Sequence, residues 1–131
     1  RFPWGPELPP PENQGNYADI SAGTFLGRIL VNYNDGFMTS SPVASFAPNA
    51  NGFYDMGGNV AEWVHDYYGA AGVAGSTREV NPLGPEVGTY HVIRGSSWAH
   101  GTVTELRLSY RDYFNAARDD LGFRVARYLG D

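Results

Sequence analysis

The chain has 131 residues, of which 42% are hydrophobic and 15% aromatic, which suits one folded domain and excludes a disordered tail. A net charge of −5 without a basic stripe argues against nucleic acid as a partner, and the nine basic residues are all arginine, so Schiff-base chemistry on lysine is excluded. The absence of cysteine removes disulfides, thiolate nucleophiles and zinc–thiolate centres without fixing a compartment, and no apolar run is long enough to form a membrane-spanning segment.

Seventeen glycines and nine prolines predict a loop-rich fold of short strands. Residues 1–16 are proline-rich and polar, suited to an extended arm over a surface, and their abrupt opening, Arg1-Phe2-Pro3-Trp4-Gly5, reads as the middle of something larger. Residues 24–31 alternate as a strand would, and Asn34-Asp35-Gly36-Phe37 follows as a turn. A short strand is expected at 43–46. After residues 52–63, discussed next, large apolar and polar residues alternate imperfectly over 63–68, and a small-residue loop runs over 69–76. His91-Val92-Ile93-Arg94 reads as a strand entering a glycine turn, residues 106–113 as another, and residues 122–128 as a closing strand. No segment has the periodicity of a long helix.

Within residues 52–63, Asp55 and Glu62 are hard carboxylate donors, and Gly57-Gly58 between them can turn carbonyl oxygens inward, which is the chemistry of a calcium loop. The spacing is not that of an EF-hand. A tight turn with Asp55 as a cap and Glu62 in solvent is the other reading of the same residues.

Taken in order, Phe2-Pro3-Trp4-Gly5, Asn34-Asp35-Gly36-Phe37, Ser41-Pro42-Val43 with Phe46, the segment from Gly52 to Trp63, Arg94-Gly95-Ser96-Ser97-Trp98 and Leu121-Gly122-Phe123-Arg124 resemble the C-terminal half of the formylglycine-generating enzyme (sulfatase-modifying factor) family. The resemblance covers nearly the whole chain. It implies an α+β, C-type-lectin-like fold with little regular secondary structure. It also implies that residues 1–131 are the C-terminal half of such a domain, whose N-terminal half, or another chain in its place, packs on this one.

The resemblance implies two calcium sites. In one, Asp19 and Asp35 supply side chains while Ile20 and Phe37 supply carbonyls; in the other, Asp55 and Glu62 supply side chains while Gly58 and Val60 supply carbonyls. An Asp-rich turn explains the Asp19 and Asp35 pair equally well. Calcium use and family habit together suggest a periplasmic or extracellular location.

The family's copper-binding cysteines fall, on an ungapped match, at His100 and Glu105, so formylglycine generation by that route is excluded for this chain. Imidazole and carboxylate can bind iron, zinc or copper, but the pair would need a third ligand such as His91 or Asp112, and a hydrogen-bonded or solvent-facing histidine is the simpler reading. His65 reads as a packing residue. No serine sits in a nucleophile-elbow context. Trp63 and Trp98 read as core residues, and Arg107, Arg111, Arg118, Arg124 and Arg127 as internal partners of Asp112, Asp119 and Asp120.

Three functions are compatible with these residues. The first is a non-catalytic, calcium-stabilised binding or assembly domain that meets a peptide, protein or glycan through a cleft rimmed by residues 99–115, with Tyr110, Tyr113 and Phe114 lining it. The second is a cysteine-independent copper or iron oxidase, similar to family members placed in siderophore maturation or sulfoxide synthesis, using His100 with Glu105 or His91. The third is a ligand-display protein similar to the variable lectin-fold receptors of phage and bacteria. The first is favoured, because a scaffold that loses its catalytic thiols more readily keeps its binding than gains new chemistry.

Overall fold

A computed structural model describes residues 1–69 and 84–127. Where β-branched and aromatic residues gather and find a neighbour, they form strands: β1 at Ala61–Tyr67, β2 at His91–Arg94, β3 at Asp112–Phe114 and β4 at Leu121–Gly122. They make one curled sheet in the order β3-β2-β1-β4. β1 is antiparallel to β2, with Trp63 opposite Ile93 and a register shift before Tyr67, and parallel to β4, with Glu62 beside Gly122. β3 closes the other edge, antiparallel to β2. Among the described residues the remaining regular element is one turn of 3-10 helix, η1 at Ile20–Ala22, capped by the Asp19 carboxylate on the Ser21 N–H at 2.8 Å.

The core is aromatic. Phe2, Tyr17, Tyr33 and Leu106 are buried together with Trp4 and Leu30 against them. Phe2 stacks on Trp4 at 5.3 Å, and Trp4 meets Tyr17 edge-on at 5.2 Å. Burying tyrosine requires a partner for each hydroxyl: Tyr17 donates to the Gly57 carbonyl at 3.0 Å and Tyr33 to the Gly15 carbonyl at 2.7 Å. Phe2 thus anchors the proline-rich opening segment in the core, while most of residues 6–14 stay on the surface as expected.

Several expected strands are absent, each for a local reason. Residues 24–31 have no neighbour to pair with beyond a single bridge between Asp19 and Leu30; they form turns, with Phe25 half exposed beside Trp98. Residues 43–46 are irregular, with Val43 85% exposed and Phe46 alone turned inward. Of residues 106–113 only the end is strand, because the Leu108 and Tyr110 carbonyls that a ladder would use accept hydrogen bonds from the Arg94 guanidinium. The closing strand stops at Gly122, after which Phe123 and Val125 face solvent. The proposed loop at 69–76 lies, apart from Gly69, outside the described residues, as does Tyr128.

Candidate metal centre and binding surface

Asp19 and Asp35 are brought together by the segment that links η1 to the Asn34–Phe37 turn. Asp19 is fully buried and Asp35 partly so. Asp19 accepts from the backbone N–H groups of Ser21 and Asp35, and Asp35 from those of Tyr17 at 2.8 Å and Phe37 at 2.9 Å. Among the described residues neither carboxylate has an arginine or histidine partner. Burial, aided by the adjacent Asp19 charge and opposed by the N–H groups of Phe37 and Tyr17, pushes Asp35 up to about 6.

Ser21 completes this cluster and was not foreseen. Its hydroxyl lies within hydrogen-bond distance of both the Asp19 carboxylate and, at 2.6 Å, the Phe37 carbonyl. A hydroxyl has one proton, so it donates to only one of those two oxygens; the Asp19 oxygen keeps the Ser21 N–H in either case. Two carboxylates, a hydroxyl and the Phe37 carbonyl crowd together with no cationic side chain against them among the described residues. This donor set is all oxygen and fits calcium rather than a soft metal, while the Ile20 carbonyl accepts the Gly23 N–H at 3.3 Å. The one sequence signal for Ser21 is its position two residues after a capping aspartate.

The 52–62 loop is held differently. Asp55 and Asn59 both adopt left-handed backbone angles, at φ of 52° and 61°, and Gly58 lies at 89°. A β-carbon on Gly58 would stand 2.7 Å from the Asn16 carbonyl, so glycine is required there. Asn59 is buried and exchanges two hydrogen bonds with the Ser41 backbone, at 3.0 and 3.2 Å. Asp55 accepts from the Ala44 N–H at 2.9 Å. Glu62, expected to be a calcium ligand, binds the Arg124 guanidinium through both of its oxygens. As arranged, these residues do not fit a second calcium ion, since the carboxylate that would anchor it already meets a cation.

His100, Glu105, His91 and Asp112 do not converge. Among the described residues no three histidine or acidic side chains are grouped so as to hold a metal ion. His100 accepts the Ser97 N–H through Nδ1 at 3.1 Å, which puts its proton on Nε2 and leaves neither nitrogen with a free lone pair. Glu105 accepts from the Thr102 N–H at 3.0 Å and its hydroxyl at 2.7 Å, a capping box for the turn that follows. His91 stacks on Tyr67 at 4.4 Å. Asp112 pairs with Arg118 at 2.8 Å, and Arg118 also holds Asp120, as the local charge pattern anticipated. Arg107 and Arg111 have no carboxylate partner among the described residues.

The outer side of the sheet carries aromatic residues. Tyr113 of β3 packs on Tyr68 at 4.1 Å and on Tyr90 at 5.3 Å, and Arg111 lies over Tyr68 at 5.4 Å. An open cleft of about 460 Å3 is lined by Trp63, Val64, His65, His91 and Asn115. Trp63, expected in the core, is half buried and forms part of this cleft, whereas Trp98 is buried as expected. Phe114 is taken by Arg118 at 5.7 Å, and Tyr110 faces His100 edge-on.

A curled sheet with almost no helix, tied together by aspartate- and glycine-rich loops, defines a C-type-lectin-like domain of the formylglycine-generating-enzyme type. Residues 1–129 match the Sulfatase-modifying factor enzyme 1-like domain, and the chain belongs to that family. It is 40% identical over 102 residues to the formylglycine-generating enzyme of Thermomonospora curvata, covering 75% of this chain and 32% of that enzyme. It is 32% identical over 136 aligned positions to the inactive C-alpha-formylglycine-generating enzyme 2 of Mus musculus, covering 98% of this chain and 37% of that protein. The solved structure of variable protein 1 from Treponema denticola superimposes with a TM-score of 0.63 at 28% identity, over 85% of this chain and 34% of its own. The chain thus spans about a third of the length of these relatives.

Proposed function

We propose that this domain is a non-catalytic, calcium-stabilised binding module of the sulfatase-modifying factor family. The observation that carries the calcium reading is the pair of Asp19, buried, and Asp35, partly buried, with no arginine or histidine partner among the described residues and crowded by the Ser21 hydroxyl and the Phe37 carbonyl. Calcium there would be held by those two carboxylates with the Ile20 and Phe37 carbonyls, and it would supply charge neutralisation, not chemistry.

The non-catalytic reading is supported by what stands at the two positions where the family resemblance places thiols. His100 and Glu105 are both spent on local turns. The binding reading is supported by two separate exposed features, the tyrosine cluster with Arg111 and the open Trp63 cleft, of which the first offers stacking faces with a polar rim suited to a sugar ring or a peptide. A periplasmic or extracellular setting accords with millimolar calcium and a site built from only two carboxylates.

Melting curves in calcium and in chelator test the structural-calcium reading. Calcium should raise the melting temperature of the wild type and leave Asp35→Asn unmoved; coincident wild-type curves in the two buffers would sink it. For the binding reading, glycan and peptide arrays should give a signal that Tyr113→Ala abolishes at unchanged stability, and a signal untouched by that variant would move the site elsewhere.

A further inference from the structure

We propose that Arg124 is the resident cation of the 52–62 loop, taking the Glu62 carboxylate that the family resemblance gives to a second calcium ion. Four oxygens of the loop surround its guanidinium. The two Glu62 carboxylate oxygens accept from Nε at 2.6 Å and from Nη2, and the Tyr54 and Asp55 carbonyls lie at 3.1 Å. This is the donor chemistry of a calcium loop, one bidentate carboxylate with main-chain carbonyls, wrapped about a planar cation.

The fold delivers Arg124 to this point. β4 runs parallel to β1 with Gly122 beside Glu62, and Arg124 follows two residues past that pairing, within reach of the same carboxylate. Its charge is reinforced first by the Glu62 hydrogen bonds, which outweigh the cost of burial, and then by the Glu62 and, last, the Asp55 charges, so that its pKa is raised further. A divalent ion at the Glu62 oxygens would have to displace the guanidinium or sit against a like charge. Arginine also cannot deprotonate to make room.

The consequence is a loop whose shape does not depend on calcium. At the left-handed Asp55 the main-chain carbonyl is held by a covalently tethered cation, which no chelator removes. The inference is independent of the Asp19 and Asp35 reading, which concerns a different pair of carboxylates.

The test is bound calcium per chain, measured by elemental analysis after equilibrium dialysis, with melting curves in calcium and in chelator, for the wild type, Asp35→Asn, Glu62→Gln and Arg124→Lys. Glu62→Gln should bind as much calcium as the wild type and melt lower by roughly 3 °C to the same extent in both buffers, as expected for a part-exposed ion pair. Arg124→Lys, which keeps the charge and loses the fork, should behave alike and decides the matter if Glu62→Gln does not fold. A calcium count lower by one in Glu62→Gln, or a melting loss that calcium reverses in Arg124→Lys, would overturn the proposal. Zero calcium in the wild type would instead sink the Asp19 and Asp35 site, with the equal melting losses still deciding the role of Arg124.

Discussion

Asp19 accepts the backbone N–H of Asp35, and this bond sets two carboxylates from separate turns side by side in a part-buried pocket. Because burial and the Asp19 charge raise Asp35 to about 6 from its ordinary 3.8, the metal-free fold binds more protons than the unfolded chain between those values. The stabilising contribution is full below about 3.8 and is lost as pH rises through about 6.

Calcium reverses that dependence, since it needs the ionised pair. The melting-temperature gain on adding calcium should therefore be small near about pH 5 and grow toward about pH 7. Asp35→Asn should abolish both the gain and its pH dependence. A gain of constant size across this range would show that Asp35 does not titrate at the calcium site.

Asn59 should be among the least replaceable residues outside the aromatic core. It satisfies both the N–H and the carbonyl of buried Ser41, and it tolerates a left-handed backbone that alanine resists. Asn59→Ala should cost about 3 kcal/mol in chemical denaturation, the sum of two stranded backbone groups and the backbone penalty. Asn59→Asp, which keeps the acceptor and loses the donor, should fall between. A loss under about 1 kcal/mol for the alanine variant would mean that water replaces the amide.

Gly58→Ala combines a φ of 89° with a β-carbon 2.7 Å from the Asn16 carbonyl. Main chain cannot yield as a flexible side chain would, so the loop must shift as a unit. The variant should lose about 2 kcal/mol or more, or fail to fold. Gly52→Ala, with a similar φ of 80° and no atom within 4 Å, should lose only the backbone part, about 1 kcal/mol. Equal losses at both positions would mean that backbone angle alone sets the cost.

The family, the fold and the structural importance of residues 52–63 were legible because they rest on glycine, aspartate and tryptophan at fixed spacings. The pairing of Asp19 with Asp35 was legible for the same reason. Strands were read less well. Alternation at 24–31 and 106–113 signalled strand, but a strand needs a neighbour, and in the second case Arg94 takes the carbonyls a neighbour would use. The partner of Glu62 was not legible for a related reason: the pattern shows an oxygen donor, while the cation that meets it, Arg124, stands 62 residues away in sequence. Ser21 escaped because a serine after a capping aspartate is ordinary until the Phe37 carbonyl is seen against its hydroxyl.

Asp120 gives the opposite pH sign from Asp35 and separates the two ends of the molecule. Burial alone would push its carboxyl up, but hydrogen bonds from Arg118 and Ser97 outweigh this and hold it below the usual range. Its contribution is present above its unfolded pKa and disappears as pH falls through the depressed folded value. The Ser97 hydroxyl at 2.8 Å ties the turn after β2 to the residue that precedes β4, so losing this charge loosens the sheet at its parallel edge. Asp120→Asn should therefore cost about 2 kcal/mol at neutral pH, because Arg118 keeps Asp112 but loses its charged bonds to Asp120, and the cost should shrink in acid. Parallel denaturation series should show the Asp120→Asn deficit fading toward low pH in calcium and in chelator alike. Chelator-treated Asp35→Asn, with a neutral side chain in the same pocket, should instead gain on the wild type as pH rises. If both variants followed the same pH trend, the two aspartates would share one environment, and the distinction between the Asp19 and Asp35 pair, with no cationic side chain against it among the described residues, and an arginine-paired carboxylate at Asp120 would fall.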